Sequence, residues 1–130
     1  MLNKLLITGA NGQLGAVCRK RLPPLAKTLR LNARKGLGEA KSNEELVYCD
    51  LSDKVAVEAL VEGCDGIVHM GGQSTEAPWE TIQAANIDGM VTLFEAARKS
   101  SVNPRIVFAS SNHVTGFYEQ SLRIDANARH

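Results

Sequence analysis

Three glycines spaced three residues apart, Gly9, Gly12 and Gly15, lie in the run T-G-A-N-G-Q-L-G near the start of the chain. An apolar stretch at residues 5–7 precedes this run, and a helical pattern of apolar residues follows it. Gly9 would permit the sharp turn, Gly12 the approach of a pyrophosphate, and Gly15 close packing of helix on strand. Because helix N-termini attract anions, this context favours nucleotide binding over the alternative of a ligand-free glycine turn.

The second predicted strand ends in residues that bear on the choice of nucleotide. Asn32, Ala33, Arg34 and Lys35 stand where an NAD enzyme usually has an Asp or Glu for the ribose hydroxyls. The missing acid and the two cations favour NADP, since a carboxylate would repel a 2′-phosphate. An equally supported interpretation is that Arg34 and Lys35 are solvated loop charges.

Asp50 and Leu51 follow the third predicted strand, where they would lie near the adenine amino group and the adenine face. Alternatively, Asp50 or Ser52 is the N-cap of the next helix, a role common for these residue types. The two roles can also be divided, with Ser52 as the cap and Asp50 as the ligand-binding residue.

The fourth strand ends in Met70, Gly71 and Gly72, a stretch of backbone that can approach a ligand closely. His69, inside the strand, is better interpreted as a satisfied core residue than as a ligand. Asn86 is poorly suited to a helix interior, and we expect it to tie neighbouring backbone together near the cofactor.

Four polar residues, Ser110, Ser111, Asn112 and His113, follow the fifth predicted strand. A hydroxyl and an amide there can hydrogen-bond the carbonyl or carbinol oxygen that exchanges a hydride with nicotinamide. A polar surface loop is the alternative, but the position at a strand end favours chemistry.

The elements that must position these residues alternate along the chain. We predict strands at residues 4–8, 27–31, 45–49, 66–70 and 105–109, and helices at 12–22, 53–62 and 78–99. The inward stripe of the last helix is predicted to comprise Ile82, Ala85, Asn86, Met90, Leu93, Phe94 and Ala97. Near-continuous apolar strands and right-handed crossovers predict an α/β, Rossmann-type, doubly wound parallel sheet of order 3-2-1-4-5. Ligands then bind where strands 1 and 4 diverge.

Composition describes one ordinary globular domain of 130 residues, with 44% hydrophobic and 22% charged residues. A net charge of +1 gives no reason to expect nucleic acid or a membrane as partner. No signal peptide or apolar run of ~20 residues is visible, so a cytoplasmic protein is expected. Cys18, Cys49 and Cys64 are predicted to be reduced, buried thiols, and their spacing makes a metal site improbable.

Taken together, these motifs resemble the extended short-chain dehydrogenases of the epimerase/dehydratase type, over nearly the whole chain. More narrowly, G-C-D-G-I-V-H-M-G-G and P-R-I-V-F-A-S-S-N-H look like the uronate dehydrogenase family. That resemblance implies oxidation of a hexuronate such as glucuronate or galacturonate at C1 to an aldarolactone, with NAD or NADP as cofactor. We also expect a homo-oligomer.

The resemblance also assigns roles by motif position. Ser111 matches the catalytic serine, and Ser74, Asn112 and His113 match positions that contact the sugar acid. The predicted cofactor-binding residues are Gly9, Gly12, Gln13, Leu14, Gly15, Arg34, Asp50, Leu51, Met70, Gly71 and Asn86. The chain departs from the family at the second strand end, where the uronate dehydrogenases compared have an Asp and use NAD.

A larger departure is the absence of the family's Y-x-x-x-K motif, since Ser52 stands four residues after Tyr48 and Leu122 four residues after Tyr118. The chain therefore looks like the N-terminal part of a dehydrogenase whose C-terminal strands are missing. We expect these 130 residues alone to be catalytically silent. We also expect an unpaired edge at strand 5 and exposed apolar surface that promotes association.

Two other functions stay open at this point. One is a sugar-nucleotide epimerase or dehydratase of the same superfamily. The other is a non-catalytic NAD(P)-binding sensor, against which the intact Ser111 argues mildly.

Overall fold

The computed structural model describes residues 1–129, and at Asn112 it describes the backbone only. Five parallel strands form one sheet in the order β3-β2-β1-β4-β5, as the sequence predicts. The strands are β1 (Leu2–Thr8), β2 (Ala26–Ala33), β3 (Glu44–Tyr48), β4 (Gly66–His69) and β5 (Arg105–Phe108). Because parallel strands need crossover connections, helices cover both faces.

The helices follow the predicted spans with one internal irregularity. Two are regular, α1 (Gln13–Arg21) and α2 (Lys54–Val61). The third span runs through α3 (Trp79–Ile82), a π-helical segment (Gln83–Asp88) and α4 (Gly89–Lys99). Short 3-10 turns lie at Pro23–Leu25 and Asn112–Thr115. Residues 117–129 form no regular element.

Side chains of β1 alternate between two cores because successive strand residues point to opposite faces. Leu6 joins the core beneath α2 and α4, which contains Leu51, Val57, Leu60, Val61, Cys64, Ile67, Leu93, Ala96 and Ala97. Leu5 and Ile7 join the core beneath α1, which contains Ala10, Ala26, Leu29, Leu31, Ala33 and Leu37. Burial of one such leucine contributes roughly 1.5–3 kcal/mol, so these two layers hold the sheet between its helices.

Strand β2 extends two residues beyond its predicted end. Asn32 and Ala33, predicted as loop, are buried and pair with Val47 and Tyr48 of β3. The Asn32 amide group donates to the backbone oxygens of Val47 and Cys49, at 3.4 and 3.3 Å. These hydrogen bonds replace those that the amide group would make to water, so a polar side chain can be buried within the strand.

The inward stripe of the last helix is only partly as predicted. Leu93 and Ala97 are buried, but Phe94 is 37% exposed, Asn86 is exposed, and Thr92 is buried in their place. The π-helical segment has more residues per turn than an α-helix. It therefore changes which residues of α4 face the core, compared with an uninterrupted helix of 3.6 residues per turn.

The three cysteines are free thiols, but only Cys64 is fully buried, so the expectation for Cys18 and Cys49 was wrong. Cys18 lies on the partly covered surface of α1, and Cys49 lies just beyond the end of β3. Burial raises the pKa of the Cys64 thiol, which makes it less reactive.

Strand β5 forms an edge of the described sheet and leaves apolar side chains open. Val107 is 63% exposed and Phe108 is 43% exposed, and Val91 and Phe94 on α4 are exposed as well. Among residues 1–129, no helix has the length and apolar character needed to cross a membrane.

Candidate functional site

The glycine loop after β1 packs backbone against backbone. Gly9 has a φ of +62°, and a Cβ there would lie 2.8 Å from the Gly71 Cα. A Cβ at Gly15 would lie 2.1 Å from the Gly9 carbonyl oxygen, so helix α1 could not approach the loop with a side chain there. Gly12 is the N-cap of α1 and offers no side-chain hydrogen bond, which leaves the first N–H groups of the helix open to a ligand.

A cavity of about 950 Å³ lies at the carboxyl ends of β1, β4 and β5. Ten of the predicted site residues line it, namely Gly9, Gly12, Gln13, Leu14, Gly15, Met70, Gly71, Ser74, Asn86 and Ser111. Its other lining residues are Asn11, His69, Gly72, Gln73, Met90, Phe108, Ala109, Ser110 and Val114. The glycine loop and the two strand ends predicted to carry chemistry therefore face one common space.

Arg34, Asp50, Leu51 and His113 do not line this cavity. Arg34 lines a smaller cavity of about 420 Å³ with Asn11 and Lys35. Leu51 is 9% exposed and belongs to the core beneath α2 and α4, and its contact with adenine stays a prediction. Its side chain packs under Gly71, where a Cβ would lie 2.9 Å from the Leu51 Cδ1.

The segment between β3 and α2 contains a cap that the sequence analysis assigned wrongly. Asp53, not Asp50 or Ser52, is the N-cap of α2, and its carboxylate accepts from the N–H groups of Val55 and Ala56 at 3.1 Å each. Asp50 instead accepts from the Ser52 N–H and hydroxyl groups at 2.9 and 2.8 Å. These hydrogen bonds, together with the charge of Arg34, lower the pKa of Asp50.

A buried hydrogen-bond chain joins β1 to β4 beneath the cavity. The Thr8 hydroxyl accepts from the Gly71 N–H at 3.1 Å, and it can donate its own hydrogen to the His69 Nδ1 at 2.7 Å. With the hydrogen bond assigned in this direction, the neutral imidazole carries its proton on Nε2. Burial lowers the pKa of His69, and its ring stacks on Phe108 with centroids 5.5 Å apart.

His69 is thus a satisfied core residue, as predicted, although its ring also forms part of the cavity wall. Sequence reasoning missed Thr8 as its partner. The signal was present, because Thr8 directly precedes the first glycine of the loop and β1 pairs with β4 at Thr8 and His69.

Asn86 fixes the loop after β4 to the π-helical segment. Its Oδ1 accepts from the Gln73 N–H at 2.6 Å, and its Nδ2 donates to the Gln73 carbonyl oxygen at 3.0 Å. A Cβ on Gly72 would lie 2.8 Å from the Asn86 Oδ1, so the glycine makes room for this contact. The side chain therefore ties backbone together beside the cavity, in the manner predicted.

Ser111 is the N-cap of the 3-10 turn that follows β5. Its Oγ accepts from the His113 N–H at 3.2 Å and lies 3.0 Å from the His113 Nδ1. Ser110 and Ser111 line the cavity, whereas His113 is exposed beside it. The side chain of Asn112, predicted to contact substrate, lies outside the described part of the chain. Within residues 1–129, no group of His, Cys, Asp and Glu side chains could hold a metal ion.

Residues 5–128 match the sequence model of the NAD dependent epimerase/dehydratase family. Uronate dehydrogenase of Agrobacterium fabrum is 55% identical over 123 residues, which cover 95% of this chain and 46% of that protein. Uronate dehydrogenase of Pseudomonas putida is 53% identical over 127 residues, covering 97% of this chain and 47% of that protein.

Solved structures agree with these relatives. A mutant uronate dehydrogenase from Agrobacterium tumefaciens complexed with NAD aligns with a TM-score of 0.87 at 55% identity, covering 98% of this chain and 48% of that one. A glucuronic acid dehydrogenase from Chromohalobacter salexigens aligns with a TM-score of 0.89 at 52% identity, covering 95% and 46%. The chain spans about half the length of these relatives. From its glycine loop, its sheet order and this similarity, the chain belongs to the NAD dependent epimerase/dehydratase family.

Proposed function

We propose that the chain is the dinucleotide-binding part of an oxidoreductase that oxidises a hexuronate, such as glucuronate or galacturonate, at C1 to an aldarolactone. The observation that carries this proposal is the single cavity that joins the glycine loop to Ser74 and Ser111. Similarity of 50–55% identity to three uronate dehydrogenases supports the choice of substrate.

The residues around the glycine loop suit a nicotinamide dinucleotide, which would supply the hydride acceptor. The floor formed by Gly9, Gly71 and Gly72 carries no side chains, so a flat ligand can lie against backbone. Gly12 leaves the N-terminal N–H groups of α1 open, and such groups favour a pyrophosphate. Met70 and Asn86 line the same cavity beyond this floor.

Ser111 is proposed to hydrogen-bond the sugar oxygen that loses its proton during oxidation. Its Oγ has one hydrogen, which can be donated either to the His113 Nδ1 or to the substrate. The His113 N–H holds the Oγ in place in either case. Ser74, Asn112 and His113 are proposed to contact the sugar acid.

We further propose that these 130 residues bind dinucleotide without turning over uronate. Neither described tyrosine lines the cavity: Tyr48 is 52% exposed at the end of β3, and the Tyr118 hydroxyl donates to the Arg129 carbonyl oxygen at 2.5 Å. Neither is followed four residues later by lysine. Loss of a general base removes about 10²–10⁴-fold in rate.

A chimaera tests the reaction. Residues 1–130 are joined to the part of the Agrobacterium fabrum uronate dehydrogenase that they do not span. We expect the chimaera to reduce the dinucleotide in the presence of glucuronate or galacturonate, which increases the absorbance of reduced nicotinamide. Neutral galactose should leave this absorbance unchanged. Ser111→Ala should lower kcat by about 10²-fold or more, whereas Ser42→Ala, an exposed serine before β3, should not. A folded chimaera that binds dinucleotide but oxidises neither uronate contradicts the proposal. Conversion of a sugar nucleotide by it would instead support an epimerase or dehydratase.

We also propose a cytoplasmic homo-oligomer. The three free thiols support a reducing compartment. The exposed Val91, Phe94, Val107 and Phe108 support association through the β5 edge and α4. Light scattering coupled to gel filtration should give a mass above one chain, and Phe94→Ser should lower it. A monomer at all concentrations would contradict this.

A further inference from the structure

The smaller cavity, at the carboxyl end of β2, carries unpaired positive charge. Asn11, Arg34 and Lys35 line its volume of about 420 Å³. Both cationic side chains are exposed. Among residues 1–129, neither takes part in an ion pair or a side-chain hydrogen bond, whereas Arg19, Arg30 and Lys4 are all paired with glutamates. Two adjacent cations that make no ion pair or side-chain hydrogen bond within this part of the chain are therefore available to an anionic ligand, although the charge of Arg34 also acts on Asp50.

This cavity is physically joined to the glycine loop. Asn11 lies within that loop and lines both cavities. Its Nδ2 donates to the Lys35 carbonyl oxygen at 2.8 Å, so the loop after β2 is fixed directly to the loop after β1. A ligand whose phosphates lie on the glycine loop can consequently extend toward Arg34 and Lys35.

The turn that contains Arg34 and Lys35 is held in place by hydrogen bonds from helix α1 and by the core beneath that helix. Arg19 of α1 donates to the Leu37 and Glu39 carbonyl oxygens at 2.5 and 2.7 Å. Its guanidinium group also pairs with Glu44 at 2.6 Å, so the charge of Glu44 is already neutralised. Leu37 is 3% exposed and packs into the core beneath α1. Arg34 and Lys35 thus lie between two fixed points, the end of β2 and Leu37.

The strand end lacks the carboxylate that would suit free ribose hydroxyls. β2 ends in Asn32 and Ala33, and Ala33 is buried with a methyl group that accepts no hydrogen bond. Asp50, whose pKa the charge of Arg34 lowers, follows the neighbouring strand β3, and its Oδ1 accepts both hydrogen bonds from Ser52. An arginine beside this strand end is the chemistry that accommodates a phosphomonoester on the ribose, through charge-assisted hydrogen bonds.

We propose that Arg34 and Lys35, together with Asn11, form a binding site for a phosphate on the adenosine 2′-oxygen, so that this chain binds NADP more tightly than NAD. The inference rests on the proposed function only in taking the glycine loop as the dinucleotide site. It assigns to this chain a cofactor preference different from the NAD that gives the family its name.

Calorimetric titration of the purified protein with two fragments isolates the phosphate, because 2′,5′-ADP and 5′-AMP differ only there. We expect 2′,5′-ADP to bind about tenfold more tightly or better, as for a charge-assisted hydrogen bond. The ratio should fall as salt is added, since the site is exposed. NADP and NAD should show the same order.

Variants identify the residues responsible. Arg34→Leu and Lys35→Met should each move the affinity ratio toward one, and Ala33→Asp should favour 5′-AMP. Arg105→Leu is the matched control, because Arg105 is an exposed cation at the first residue of β5, on the opposite edge of the sheet, and should leave the ratio unchanged. Circular dichroism checks that each variant is folded.

Equal binding of the two fragments, tighter binding of 5′-AMP, or no binding of either fragment would overturn the inference. A ratio that persists in the Arg34→Leu, Lys35→Met double variant would overturn it as well. Failure of the proposed function has a different signature, namely no uronate oxidation by the chimaera with either dinucleotide while 2′,5′-ADP still binds more tightly than 5′-AMP.

Discussion

The substitution Thr8→Val tests the hydrogen-bond chain beneath the cavity. Thr8 is fully buried, and its hydroxyl is bonded to both the Gly71 N–H and the His69 Nδ1. Valine has nearly the same shape but leaves both groups without a partner. Each buried polar group left unsatisfied costs about 1–3 kcal/mol, so we expect the free energy of unfolding to fall by roughly 2–5 kcal/mol. That is a large share of the ~5–15 kcal/mol typical of a domain.

Thr8→Ser is the matched control, since it keeps the hydroxyl and removes one methyl group, at a cost of about 1 kcal/mol. Urea unfolding of the three proteins should give similar slopes and separate midpoints. Nitrogen NMR of His69 should find the proton on Nε2 in the wild-type protein and in Thr8→Ser. Equal stability of the valine and serine variants, or a proton on Nδ1, would refute the assigned hydrogen-bond chain.

Three further outcomes are expected. Because burial lowers the pKa of His69 below the ordinary 6.5, its neutral form contributes stability that is fully present above pH 6.5 and is lost as pH falls toward the folded pKa. Urea midpoints measured across that range should decline in the wild-type protein and stay flatter in His69→Gln, and parallel curves would count against this. Gly15→Ala should cost about 1–3 kcal/mol and abolish nucleotide binding, because its Cβ would meet the Gly9 carbonyl oxygen at 2.1 Å; unchanged calorimetric affinity would contradict it. Asp53→Ala should lower the free energy of unfolding by about 1 kcal/mol, whereas Ser52→Ala should not, and the reverse order would return the cap to Ser52.

The sheet order was predictable because each strand is an apolar run and each crossover carries a helical pattern, which leaves few topologies. The end of β2 was not, since Asn32 is polar and its burial depends on the backbone of the neighbouring strand β3. Sequence alone could not tell which of Asp50, Ser52 and Asp53 caps α2, because the three residue types share one propensity. The choice depends on where the chain turns after β3.

The candidate site also contains features that the sequence predicts and features that it does not. The glycine loop and the ends of β4 and β5 were predicted to meet, and they line one cavity, because topology alone brings these strand ends together. The place of the Leu51 side chain in the core was not predictable, since periodicity says nothing about which side of a two-residue loop segment faces the core. The π-helical segment was not predicted, because one additional residue per turn does not change the amino-acid composition of a helix. Asn86 in its interior was nevertheless a sign of an irregular helix.

The Asn11 side chain has an entropic consequence for nucleotide recognition. Its bond to the Lys35 carbonyl oxygen connects two loops that would otherwise have to be brought into register when a ligand arrives. Loops and side chains that become immobile on binding lose entropy, which lowers the affinity. A hydrogen bond formed during folding fixes the two loops beforehand, so less entropy is lost when the ligand binds. A single carboxamide would thereby set the distance between the two ends of the proposed adenosine site before any nucleotide is present. Removing it should therefore weaken binding mainly through a less favourable binding entropy, with each phosphate contact still able to form.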